Sequence, residues 1–230
     1  KLHILSEDAV GLKLLFNRFK LNKNEVVYIY NENQDMIIGP LTRKENHPDN
    51  TFGHKLLKGS SIYIEYFKPI NNNNENQLQV SNVIHAYRDI HGYYETRDRD
   101  CGDNVACSDA DPYEDQINSV IYLEMYEYIC SAALVNNTNQ DLTPYFLTAD
   151  HCVEGLNPGV FRFYFNYETS TCSASWGSYG SYAYGSVSEE DSNGMDSDWD
   201  LLRITGNISA SWEVYYAGWD ATENHPRIFS

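Results

Sequence analysis

Short runs of β-branched and aromatic residues, each closed by turn residues, recur along almost the whole chain and leave room for little but an antiparallel β fold. Val26-Val-Tyr-Ile-Tyr30, Met36-Ile-Ile38, Ser61-Ile-Tyr-Ile-Glu-Tyr-Phe67 and Leu78-Gln-Val80 are divided by turn-rich segments such as Asn31-Glu-Asn-Gln34, Lys58-Gly-Ser60 and the polar loop Asn71–Asn76. Upstream of them, Leu12, Leu14 and Phe16 alternate with Lys13, Leu15 and Asn17. Strands of this length and spacing predict a small β-sandwich-like domain over residues 1–90. A second series, Ser119–Met125, Ile129–Val135, Tyr145–Leu147, Val160–Phe165 and Leu201–Ile204, reads as the strands of one antiparallel barrel. Val160–Phe165 alternates poorly, which predicts burial on both faces. Residues 173–194, rich in Ser, Gly, Tyr and acids, read as a long surface excursion.

Charge divides the chain at the same place. Residues 1–90 carry 11 Lys and Arg against 10 Asp and Glu, whereas residues 91–230 carry 5 against 23, and the net charge is −17. Such a step predicts a domain boundary near residue 90 with independent surfaces on either side. An acidic second part argues against binding a phosphate backbone and favours basic partners. Nor does any apolar run reach the length of a membrane span. The chain begins with Lys rather than Met, so a signal peptide is expected outside it.

Chemistry concentrates at Tyr145-Phe-Leu-Thr-Ala-Asp-His151-Cys152, where an apolar run stops at a histidine joined to a cysteine. The small pair Thr148-Ala149 lets the chain turn, so His151 emerges at the end of a strand and Cys152 can fasten the turn elsewhere. Further on, Asp198 stands just before the apolar Leu201, Leu202 and Ile204. An aspartate there can accept the histidine Nδ1 proton and hold one tautomer. Taken alone, Asp196, Asp198 and Asp200 could equally be solvated loop acids. The remaining histidines of the first part, His3, His47, His54 and His85, and His91 beyond it, show no ligand spacing. No Cys-x2-Cys or His-x3-His pair suggests zinc, and neither metal nor cofactor is expected.

Thr-Ala-Asp-His-Cys resembles the Thr-Ala-Ala-His-Cys signature of chymotrypsin-like serine proteases, and Asp198-Trp-Asp-Leu-Leu202 resembles their Asp-x-x-Leu-Leu segment. Within that superfamily the chain is most similar to bacterial lysyl endopeptidases, through Cys101-Gly-Asp-Asn-Val-Ala-Cys107, Ala133–Thr138, Asn166-Tyr-Glu-Thr-Ser-Thr-Cys172 and Ala217-Gly-Trp-Asp220, in the family's order. Asp150 departs from the pattern. The resemblance implies disulfides Cys130–Cys152 and Cys107–Cys172, with Cys101 seeking a partner later in the family's chain. It also implies His151 as general base and Asp198 as its orienting partner. Closing the loop from 130 to 152 stabilises by about 3 kcal/mol in the chain-entropy picture.

The expectation is therefore an all-β chain: a β-sandwich-like propeptide or accessory domain over 1–90, then residues 91–230 as the first antiparallel β-barrel of a chymotrypsin-like protease, with the second barrel missing. Ser209, Ser211 and Ser230 are the serines after Asp198, and none lies in a Gly-x-Ser-Gly setting. The nucleophile, oxyanion hole and P1 pocket are thus expected past Ser230. The implied activity is that of a secreted, extracellular bacterial serine endopeptidase acting on protein or peptide substrates, basic at P1, with no nucleic acid and no membrane span. The rival readings are a protease-like binding protein without a nucleophile and an adhesion module built on the sandwich.

Overall fold

The computed structural model describes residues 1–69, 78–89, 104–126, 128–173, 177–178, 181–192 and 197–220. The expected segment of Cys101, the linker from His91 to Asp103, and Asp196 lie outside these residues. The fold is all-β, as the alternation predicts.

The first part carries eight strands: β1 (Leu2–Leu5), β2 (Gly11–Phe19), β3 (Val26–Asn31), β4 (Ile37–Leu41), β5 (Phe52–Gly53), β6 (Leu57–Lys58), β7 (Ser61–Phe67) and β8 (Leu78–Ala86). One sheet runs β1-β7-β3-β4; in the other, β2 pairs with β8 along one edge and with β5 and β6 along the opposite one, all antiparallel. Leu12, Leu14, Phe16 and Phe19 of β2 meet Val27, Ile29, Ile62 and Ile64 across the sandwich in one core. At up to about 2–3 kcal/mol per fully buried large side chain, this alternation is what joins the two sheets.

The second part carries helix α1 (Glu114–Ser119), β9 (Val120–Glu124), β10 (Ile129–Val135), β11 (Tyr145–Thr148), helix α2 (Asp150–Val153), β12 (Arg162–Phe165), β13 (Ser181–Tyr184), β14 (Ser186–Asp191) and β15 (Asp200–Ile204). They make one sheet in the order β13-β12-β9-β10-β11-β15-β14. Its two outermost strands are consecutive in the chain, so the sheet curls back on itself through Gly185. The Gly185 amide donates to Phe161 O on the β12 side, and its carbonyl accepts from Thr205 N on the β15 side, both at 2.9 Å. Gly185 has φ +74, and a Cβ there would lie 2.7 Å from His47 Cδ2, so the closing residue must be glycine on both counts. Where a surface excursion is expected over 173–194, residues 181–184 and 186–191 instead form β13 and β14 and complete the sheet. The Ser and Tyr content of β13 hid a strand whose Tyr184 packs on Phe52 of the first part.

That packing is charged as well as apolar. Odd positions of β12, Phe163 and Phe165, enter the curled sheet's core with Ile121, Leu123, Leu134, Phe146 and Leu202, while even positions face the sandwich. Arg162, fully buried, donates to Gly53 O and lies 4.8 Å from the Tyr184 ring centroid. Tyr164 OH donates to Glu124 Oε2 at 2.5 Å. Glu124 also accepts at 2.7 Å from Lys13 Nζ of β2, both side chains at most 4% exposed. Leu15, two residues on, belongs to the core of the curled sheet rather than to that of the sandwich. Thus β2 is buried on both faces. His54 is held neutral beside it: Nε2 accepts from Leu14 N, Nδ1–H donates to Lys55 O, and burial pushes its pKa down to about 3.

Candidate active site

The site is built at the end of β11. Phe146 anchors that strand in the core, and Thr148 is buried, its hydroxyl donating to Ser131 O of β10 at 3.0 Å. The chain then turns at Ala149 into the single turn of α2, whose far side is fixed by buried Cys152 and Val153. Cys152 is bonded to Cys130 of β10, so the residue after the histidine is tied covalently to the neighbouring strand. His151 stands outward from this braced turn with its side chain 70% exposed.

Asp198, immediately upstream of β15, reaches back across the β11–β15 pairing to His151. Its Oδ2 lies 2.6 Å from His151 Nδ1, and its Oδ1 accepts the His151 backbone amide at 2.9 Å. The two contacts fix both the ring and the turn that carries it. The backbone amide and the imidazole together hold the Asp198 carboxyl below its ordinary range, against a smaller opposing effect of burial. An ionised carboxylate at Nδ1 places the proton on that nitrogen and leaves the lone pair on Nε2. Cys152 Sγ lies 3.6 Å from Nε2.

Two residues beyond Asp198 the environment reverses. Asp200 is 6% exposed at the start of β15, between Thr148 of β11 and Asp191 of β14. Burial, then the charges of Asp191 and Asp150, push its carboxyl up to about 6, with Ser188 Oγ at 3.4 Å opposing weakly. Asp150, the residue that breaks the protease signature, accepts from Ser192 Oγ at 3.2 Å. Of the three acids in the Asp198 loop, then, Asp198 turns to the histidine and Asp200 turns away into the sheet.

Cys107 is bonded to Cys172, with Cα atoms 4.5 Å apart, and Cys130 to Cys152, 6.4 Å apart. Those are the pairings that the resemblance implies. A family model described as lysyl endopeptidase, C-terminal domain, matches residues 96–229. The chain belongs to the lysyl endopeptidase family. The match covers the whole curled sheet with its His151–Asp198 pair and both disulfides, and leaves out the sandwich. Membership assigns the chain a protease-related, hydrolytic function with peptides as its class of substrate. Paired cysteines are consistent with an oxidising, extracellular setting. No helix of the described residues is long and apolar enough to cross a membrane.

A second histidine–carboxylate pair escaped the sequence reading. His47 is buried, with Nδ1 against Asp49, whose Oδ1 also accepts Thr51 N at 2.9 Å and Thr51 Oγ1 at 2.8 Å. The signal in the sequence was the short His-Pro-Asp-Asn-Thr51 run, an Asx-type turn with a histidine two residues upstream. Its place between Gly159 and Gly185, whose added Cβ atoms would each touch the ring, makes it a packing device at the junction of the two parts. Clefts of about 460 and 850 Å³ open along the same junction, and neither is lined by His151 or Asp198.

Proposed function

We propose that the chain is part of a secreted serine endopeptidase of the chymotrypsin-like class, with His151 as general base and Asp198 as the residue that orients it. The observation that carries this reading is the 2.6 Å contact between His151 Nδ1 and Asp198 Oδ2, on a histidine whose side chain is largely exposed. In the reaction, Nε2 takes the proton of a serine hydroxyl as it attacks the scissile carbonyl, and Asp198 stabilises the imidazolium so formed. The proton then passes from Nε2 to the leaving amine.

In this reading residues 91–230 form the first of two barrels. The serine, the oxyanion donors and the P1 pocket belong to a second barrel, and the substrate lies in the cleft between the two. The preference is for lysine at P1, in keeping with the family and with the acidic second part. Residues 1–90 are a propeptide or accessory domain, joined through the segment in which limited proteolysis is expected to cut first, between His91 and Asp103.

The test is peptide hydrolysis by the full-length protein carrying His151→Ala. Loss of several orders of magnitude in kcat with an unchanged far-ultraviolet circular dichroism spectrum supports the assignment, and undiminished cleavage ends it.

A further inference from the structure

The general base shares its immediate surroundings with two sulfurs. A ring nitrogen of His151, Cys130 Sγ and Cys152 Sγ all lie within 4.8 Å of one another, and Nε2 is 3.6 Å from Cys152 Sγ. While the disulfide is intact the sulfurs hold each other and only the imidazole can coordinate. We propose that reduction of Cys130–Cys152 by a dithiol converts this corner into a zinc-binding site, with the two thiolates and His151 Nε2 as ligands and Asp198 as the carboxylate behind the histidine.

Three observations carry the inference. The first is distance. With Zn–S near 2.3 Å and Zn–N near 2.0–2.1 Å, a tetrahedral ion needs an S···N separation of about 3.6 Å and an S···S separation of about 3.8 Å. Cys152 Sγ and His151 Nε2 already stand 3.6 Å apart. Only the sulfurs must part, from bonded to non-bonded contact, between Cα atoms 6.4 Å apart.

The second observation is that both cysteines are flanked by strands paired independently of their bond. Cys130 is paired with Leu123 in the β9–β10 ladder. Cys152 follows β11, which is itself paired with β10 from Ala133 to Val135 and with β15 from Asp200 to Arg203. The third is the hydrogen bond at Nδ1. A carboxylate there fixes the tautomer that leaves Nε2 free to bind a metal, as carboxylates behind zinc-bound histidines do.

The chemistry balances. Two electrons pass from the dithiol to the disulfide, the dithiol closes to its own disulfide, and Zn²⁺ displaces one proton from each protein thiol. Two thiolates neutralise the ion's charge, and the exposed side of His151 leaves a fourth position for water. Metal capture ties up the Nε2 lone pair. On the catalytic reading above, the reduced, metal-loaded enzyme is therefore silenced and the oxidised enzyme is not.

The experiment uses Co²⁺ as a spectroscopic stand-in for Zn²⁺ on the chain with Cys101→Ser, reduced by dithiothreitol and freed of it without oxygen, beside the oxidised protein. The expected result is one tightly bound Co²⁺ in the reduced form, with a thiolate-to-cobalt charge-transfer band that Zn²⁺ displaces, and no such band in the oxidised form. Cys130→Ser should abolish the tight site even though Cys107 and Cys172 remain. His151→Ala and Asp198→Asn should each weaken it tenfold or more while the thiolate band persists. Equal binding by reduced wild type and by Cys130→Ser overturns the proposal, as do an affinity indifferent to His151 or a reduced protein that has lost its near-ultraviolet circular dichroism. None of these readouts uses peptidase activity, so the metal site and the catalytic assignment fail separately.

Discussion

Replacing Asp200 by Asn should stabilise the protein at neutral and alkaline pH and do little at acid pH. In the fold the Asp200 carboxyl is pushed up to about 6, first by burial and then by Asp191 and Asp150. In the unfolded chain it titrates near 3.9. The folded state thus holds this proton more tightly than the unfolded state does. The group's contribution is neutral below about pH 4, turns unfavourable as pH rises through the window from 4 to 6, and is fully unfavourable above it. At 1.36 kcal/mol per pKa unit the penalty reaches about 3 kcal/mol at pH 8. Solvent at the open end of β15 and loss of the weak Ser188 contact reduce what Asn recovers, to about 1–2 kcal/mol. For a chain of this size that raises Tm by about 2–8 °C. Thermal unfolding of wild type and Asp200→Asn at pH 8 and at pH 4 measures it. An equal shift at both pH values refutes the reasoning because the effect would then not come from ionisation, and a destabilised variant at pH 8 refutes it because the carboxylate would then have a favourable partner in the fold.

Lys13→Ala should destabilise by about 3–5 kcal/mol in urea unfolding, since it strands Glu124 in the junction, whereas Lys13→Met with Glu124→Gln should recover much of that loss. Gly185→Ala should cost at least about 1–2 kcal/mol from its positive φ alone, with the collision against His47 added, and the same unfolding assay reads it. Cleavage between residues 91 and 103 should leave the two fragments co-eluting in gel filtration without denaturant, because Lys13–Glu124 and Arg162–Gly53 are buried across the junction. Separate elution would show that the junction contributes little.

The sequence spoke most clearly where one residue's neighbours determine its role. The run from Tyr145 to Cys152 announced a strand, a turn and an anchored histidine because each step is local, and Ser61–Phe67 and Ile129–Val135 showed their period directly. What stayed hidden depends on contacts far apart in the chain. Lys13 looks like the solvent side of an alternating strand; its burial follows from Glu124, 111 residues away, and from the neighbouring Met125 carbonyl. The charge step at residue 90 pointed to independent surfaces and gave no sign of that ion pair. The tyrosines of β13 read as surface residues because the ring that receives Arg162 is polar at its tip, so composition disguised a sheet-closing strand. Asp198 and Asp200 illustrate the limit best: two residues apart and identical in type, they acquire opposite shifts, one from the backbone amide and ring of a histidine, the other from burial and then from two acids that only the fold brings near.

The central claim is that His151 and Asp198 act as one catalytic unit, and hydrolysis of Lys-, Arg- and Leu-P1 peptides by the full-length protein tests it most directly. His151→Ala and Asp198→Asn should each lower kcat by several orders of magnitude, the double variant should be little worse than His151→Ala alone, and cleavage by the wild type should favour lysine. Full activity in either single variant, or losses that simply multiply in the double variant, would contradict it.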